Sequence, residues 1–193
     1  MLICGLQRLS LLDYPEKLAA TVFTGGCNLR CPFCHNAALV TKVSDTPSFS
    51  ENEVLHFLES RIGKLDGVCI TGGEPLLQSD IDDFIVKIRK LGFLVKLDTN
   101  GVFPEKLSRL LSKGLLDYVA MDIKNSPEKY AATAGIPDFD PAPVFESARL
   151  IMNSGIPYEF RTTRVREFHT ETDIEKIGGS VLGAKNYFLQ IFE

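Results

Sequence analysis

The sequence predicts an α/β protein built on a largely parallel sheet. Two observations carry this. Apolar, β-branched-rich runs of strand length alternate with segments whose apolar residues repeat at helical spacing. Each apolar run also ends in glycine, polar or charged residues, where α/β sheets collect their ligands. Strands are expected at Ala19–Thr24, Gly67–Thr71, Phe93–Asp98, Asp117–Asp122, Pro157–Thr162 and Asn186–Ile191. Residues 1–18 read as an N-terminal extension and residues 19–193 as one domain of β/α repeats. Between the strands, Ser50-Glu51-Asn52-Glu53 forms a capping box ahead of Val54, Leu55, Leu58 and Ile62 on one stripe. Ser79 is expected to cap the helix carrying Ile81, Phe84, Ile85, Ile88 and Leu91, which Gly92 stops. Pro104 opens a third helix with Leu107, Leu110 and Leu111, closed by Gly114. A fourth runs from about Ala142 to Ser154, ended by Gly155, and a weaker fifth spans roughly Thr172 to Ile177. An open doubly wound sheet and a curved partial barrel both satisfy this order.

Bulk properties bound the class. A chain of 193 residues suits a single domain with a sizeable core. Apolar residues at 45% and charged residues at 24% are ordinary for a globular protein. The start, Met1-Leu2-Ile3-Cys4-Gly5-Leu6, puts no positive segment ahead of an apolar stretch, so a signal peptide is not expected. No run is long enough to cross a bilayer, and a cytoplasmic location is the expectation. A net charge of −4 without a dense Lys/Arg cluster argues against nucleic acid as a partner.

The chemistry concentrates in Cys27-Asn28-Leu29-Arg30-Cys31-Pro32-Phe33-Cys34. Thiolates at this spacing on a loop can converge on one metal centre. Three ligands leave a coordination position open, whereas structural zinc normally closes with four. A zinc site that recruits a fourth ligand is the alternative, although His35, adjacent to Cys34, is badly placed to share its ion. Three thiols cannot pair evenly as disulfides. Cys69, inside a strand, reads as a small core hydrophobe and Cys4 as inert. His56 and His169 read as surface residues.

The other strand ends carry Thr71-Gly72-Gly73-Glu74-Pro75, Asp98-Thr99-Asn100-Gly101, Asp122-Ile123-Lys124 and Arg161-Thr162-Thr163-Arg164, with Gln190 on the last strand. Turn preference accounts for Gly, Asn and Asp in such places. It does not account for Glu74, Lys124 and Arg161, and a common site does.

The spacing C-x3-C-x2-C with Phe33 before the last cysteine, followed by Gly72-Gly73-Glu74-Pro75, resembles the radical S-adenosylmethionine (SAM) superfamily. Cys34-His35-Asn36, Leu97-Asp98-Thr99-Asn100-Gly101 and Met121-Asp122-Ile123-Lys124 are similar to the glycyl-radical-enzyme activating proteins within it. The run Gly5–Pro15 and the segment Leu116–Lys124 resemble the anaerobic ribonucleoside-triphosphate reductase activating family. Glu16 departs from that pattern, which commonly has glycine after Tyr-Pro.

The resemblance implies a partial (β/α)6 barrel of parallel strands. It implies that Cys27, Cys31 and Cys34 hold a [4Fe–4S] cluster whose fourth iron binds S-adenosylmethionine. Reductive cleavage there would generate a 5′-deoxyadenosyl radical that abstracts hydrogen from a partner's glycine. Gly72 and Gly73 would let backbone approach the methionine end, with Glu74 accepting its ammonium group or orienting the loop. Phe33, His35 and Asn36 would lie by the adenine, with Asn100 and Gln190 as further cofactor-binding positions. Asp98, Thr99 and Asp122 match positions that hold a monovalent cation. Lys124 and Arg161 would pair with the cofactor carboxylate or ribose, an ion pair with Asp122 or Glu159 being the structural alternative. The implied partners are an anaerobic ribonucleotide reductase and a low-potential donor such as flavodoxin or ferredoxin. Asn125–Pro143, with Tyr130, is expected to line a lateral opening for the partner's loop. A radical SAM reaction on another glycyl-radical enzyme or a small molecule, or a non-catalytic zinc protein, are the alternatives.

Overall fold

The computed structural model describes residues 1–192. Seven strands form one sheet in sequential order: β1 (Ile3–Ser10), β2 (Ala19–Thr24), β3 (Gly67–Gly72), β4 (Leu94–Thr99), β5 (Tyr118–Asp122), β6 (Tyr158–Arg164) and β7 (Tyr187–Ile191). β2 to β7 are parallel, and β1 lies antiparallel along β2. This is the expected partial barrel, open between β1 and β7. The supposed N-terminal extension is therefore an edge strand. Register shifts between Ile3 and Gly5 and between Gln7 and Ser10 break the period of two, which hides it in the sequence.

Helices α1 (Ala37–Thr41), α2 (Glu51–Glu59), α3 (Ile81–Lys90), α4 (Pro104–Ser112), α5 (Tyr130–Ala134), α6 (Ala142–Met152) and α7 (Glu171–Ser180) connect the strands. Val68, Ile70, Val95, Leu97, Val119, Met121 and Phe160 on one sheet face join Phe84, Ile85, Ile88, Leu107, Leu110, Val144 and Ile151 of the helices in a single core. The Ser50 capping box forms as expected, its hydroxyl accepting from Glu53 N–H. Ser79 is not the cap of α3. Asp80 takes that place without a side-chain cap bond, and its carboxylate pairs instead with the N-terminal ammonium group. α7 begins earlier than Thr172 because Thr170 and Asp173 form a second capping box.

Strand alternation puts polar residues on the opposite, concave face: Thr21 on β2, Cys69 on β3, Lys96 and Asp98 on β4, Tyr118 and Asp122 on β5, Glu159 and Arg161 on β6. At its lower end Tyr14, nearly buried, packs on Tyr118 with ring centroids 5.8 Å apart. Among the described residues no helix is long and apolar enough to cross a membrane.

Candidate active site

The carboxyl ends of β2–β7 open on a cavity of about 510 Å³. Its wall takes in Cys27, Phe33, Asn36, Gly72, Asp98 and Thr99, together with Cys31, Cys34, His35, Gly73, Asn100, Asp122, Lys124, Arg161 and Gln190. Of the candidate cluster, cofactor and cation residues, Glu74 alone among the described residues lies off this wall.

The cysteine loop is tied to the protein by its own backbone. Gly26 N–H donates to Leu39 O of α1 at 2.8 Å, and Arg30 N–H donates to Ala134 O of α5 at 2.8 Å. Leu29, 1% exposed, anchors the loop in the core. A Cβ at Gly135, whose φ is +67°, would sit 1.9 Å from Arg30 O, so the chain needs glycine there on two counts. Ala134 and Gly135, in the segment between Asn125 and Pro143, thus prop the cysteine loop, and no described residue of that segment is on the cavity wall. Tyr130 is fully buried, its hydroxyl accepting from Lys124 N–H at 3.2 Å. All five cysteines are free. The Cys27 sulfur accepts from Leu29 N–H at 3.4 Å and from the Asn100 amide at 3.7 Å. Burial pushes the Cys27 and Cys31 thiols up, with nearby Lys124 pulling both the other way. Among the described residues no three Cys, His, Asp or Glu side chains surround a point that one metal ion could occupy.

Gly73 is required by chain packing: a Cβ there would meet Gly26 O at 1.9 Å. The two strand-end loops are locked together at this point, since Glu74 N–H also donates to Gly26 O at 2.9 Å. Asn36 then fixes the loop from the other side, its amide donating to Gly72 O at 3.0 Å.

Glu74 corrects its expected contact with a ligand. Its carboxylate is fully buried and points into the protein. It accepts from the Thr99 hydroxyl at 2.8 Å, Asn100 N–H at 2.8 Å and Leu76 N–H at 3.0 Å. It therefore orients the loops after β3 and β4, the other role the sequence left open. Burial raises its carboxyl to about 7 against those three hydrogen bonds.

Arg161 realises its structural alternative. Its Nε lies 3.1 Å from Asp122 and its Nη2 3.2 Å from Asp98, while Nη1 is 3.6 Å from Glu159. Burial opposes its charge, but the three carboxylates outweigh burial and hold the guanidinium pKa above its ordinary value. Lys96, almost wholly buried, pairs with the other Asp98 oxygen. Among the described residues Lys124 has one side-chain partner, Asp122 at 3.4 Å, which leaves most of its donor capacity facing the cavity. Asp98 and Asp122, expected as cation ligands with Thr99, are thus ion-paired, and the Thr99 hydroxyl donates to Glu74 while accepting from Gly101 N–H at 3.1 Å.

His169 is no surface residue. It is 4% exposed, its Nδ1 accepts from Val165 N–H at 3.1 Å, and the proton this leaves on Nε2 is donated to Lys124 O at 2.7 Å. Phe33 packs on Phe168, His169 and Phe192, and His35 lies 5.4 Å from the Phe192 ring. Asp13, Phe23 and Thr163 also line the cavity; Asp13 and Thr163 fall within the runs Gly5–Pro15 and Arg161–Arg164, but neither run assigns them a role. Lys96, Tyr118 and Glu159 do carry a sequence signal, because parallel strands covered on both faces should be apolar throughout. The alternation of Lys96 with Asp98 and of Glu159 with Arg161 marks a polar inner face.

Sequence comparisons place the chain in a family, and fold comparisons match its architecture. A sequence model of the Radical SAM superfamily matches residues 21–176. A Methanocaldococcus jannaschii protein named for glycyl-radical enzyme activation is 34% identical over 196 residues, covering 100% of this chain and 80% of the relative. A GTP 3′,8-cyclase of Aquifex aeolicus is 33% identical over 129 residues, 63% of this chain and 39% of the relative. Streptococcus suis SuiB, solved bound to S-adenosylmethionine, superposes with a TM-score of 0.64 at 15% identity, over 91% of this chain and 38% of SuiB.

Proposed function

The chain belongs to the radical SAM superfamily, and from that membership we propose that it activates an anaerobic ribonucleoside-triphosphate reductase by installing a glycyl radical on it. The superfamily's cofactors are a [4Fe–4S] cluster and S-adenosylmethionine. One observation carries the chemical reading: three free thiols share a cavity wall without closing on a single point. Such an arrangement suits a polynuclear centre with an open corner, and among the described residues it offers no four-ligand cage for zinc. The whole-length similarity to a protein named for glycyl-radical enzyme activation supports the activase role. The runs Gly5–Pro15 and Leu116–Lys124 support the reductase as target.

Cys27, Cys31 and Cys34 hold the cluster, with the Asn100 amide and Leu29 N–H directed at the Cys27 sulfur. Bound together, cluster and S-adenosylmethionine supply one-electron cleavage of a carbon–sulfur bond and hydrogen-atom abstraction from glycine. Lys124 receives the carboxylate of S-adenosylmethionine, its charge opposed by burial but favoured on balance because Asp122, Cys31 and Tyr130 together outweigh burial. The Gly72-Gly73 edge gives that ligand a wall without side chains, and Glu74 keeps the edge in place. Phe33, His35, Asn36 and Gln190 form the adenine side. Electrons come from a flavodoxin or ferredoxin.

The similarity to a GTP 3′,8-cyclase favours a second reading, a radical reaction on a small molecule such as a nucleotide. One anaerobic assay separates the two. Reconstituted protein with S-adenosylmethionine, reductant and the reductase should give a glycyl-radical signal in electron paramagnetic resonance. Deoxyadenosine formed only with GTP or another metabolite would overturn the activase reading, as would zinc at one per chain without sulfide.

A further inference from the structure

The charges clustered around Asp98 and Asp122 balance without an added ion. Asp122 on β5 and Arg161 on β6 are register neighbours. Asp98 on β4 is two strands away from Arg161 and pairs with Ala120 of β5, whose own β6 neighbour is Glu159, so Arg161 reaches Asp98 diagonally across β5. The Ala120 methyl is short enough for the guanidinium to cross β5 and meet both carboxylates. Each of the four carboxylate oxygens of Asp98 and Asp122 then has a cationic partner: Lys96 and Arg161 on Asp98, Arg161 and Lys124 on Asp122. With Glu159 included, three carboxylates face three cations. A hard cation needs several oxygen ligands at once, and here each of those four oxygens already faces a positive group.

We propose that Arg161 is a built-in cation: it occupies the position between Asp98 and Asp122 that a monovalent metal ion would otherwise fill, making the site independent of sodium and potassium. Its effect on cofactor binding rests on the reading that the cavity takes the carboxylate end of S-adenosylmethionine; the charge arrangement itself does not. Arg161 is thereby a positioning residue. It holds Asp122, and Asp122 holds Lys124.

The first test uses the cluster-free protein, so it stands apart from the activase reading. Sodium-23 line broadening is titrated on wild type, Arg161→Ala and Arg161→Lys, with circular dichroism as the folding control. Wild type and Arg161→Lys should give no saturable broadening, and Arg161→Ala should acquire a site that potassium competes for. In reconstituted protein, replacing potassium by tetramethylammonium at constant ionic strength should leave wild-type S-adenosylmethionine affinity unchanged. Arg161→Ala should bind it about tenfold more weakly, recovering with potassium. Saturable sodium binding to wild type, abolished by Asp98→Asn, overturns the proposal. So does an Arg161→Ala protein as indifferent to these ions as wild type. Should Arg161→Ala not fold, the wild-type and Arg161→Lys titrations decide.

Discussion

Glu74 is where a single residue separates sequence pattern from physical role. Its place after two glycines marks it as part of the site, yet the carboxylate serves the protein and braces the loops that carry Asn100 and Gly73. Its ionisation has a thermodynamic consequence. The carboxyl titrates near 4.5 when exposed and is lifted by burial to about 7. The folded chain therefore holds the proton more tightly than the unfolded chain. Stability from this group is complete below pH 4.5 and is lost as pH rises through about 7. Glu74→Gln stays neutral throughout, so any constant cost of its amide facing an N–H donor drops out of the slope. The wild-type-minus-variant difference in unfolding free energy should fall by on the order of 3 kcal/mol across that window in urea titrations of the apoprotein. A flat difference would mean that the three hydrogen bonds keep the carboxylate ionised despite burial.

At the scale of elements, the turn before β2 registers the departure at Glu16. Lys17 N–H donates to Tyr14 O at 3.1 Å, with Pro15 second and Glu16 third in the turn. Glu16 has φ +60°, the left-handed conformation that a type II turn demands and glycine adopts freely. Glu16→Gly should therefore stabilise the protein by about 0.5–1 kcal/mol, the relief of left-handed strain exceeding the added unfolded-state entropy. An unchanged or lowered urea midpoint would show that this turn stores no such strain. Elements with strong local signals were legible in advance: the Ser50 box, Pro104 at the start of α4 and Gly114 after its end. β1 was not, because its bulges scatter the alternation. Nor was the folding of residues 125–143, whose short α5 is fixed by contacts with the cysteine loop and not by its own periodicity.

For the molecule as a whole, the division of labour between the two sheet faces matters most. The helix-covered face supplies the core, and the concave face carries the charges and the cavity. Cys27, Cys31 and Cys34 belong to neither, sitting on a loop held by backbone bonds to α1 and α5. Cys31→Ser should accordingly reduce S-adenosylmethionine cleavage to background while leaving far-ultraviolet circular dichroism and the thermal transition of the apoprotein close to wild type. Collapse of the variant's secondary structure would show that the thiol supports the fold itself.

The sequence alone determined the β/α order, the six parallel strands to within a residue or two, and the cysteine and glycine motifs at their ends. These are local properties, written in hydrophobic period, turn residues and spacing. Only the tertiary structure decided that Glu74 faces inward, that His169 is buried beneath Lys124, and that Arg161 spans Asp98 and Asp122. The physical reason is distance along the chain: the partner of a charge on β4 lies on β6, and which groups meet is set by strand register and by the small Ala120 on the intervening strand.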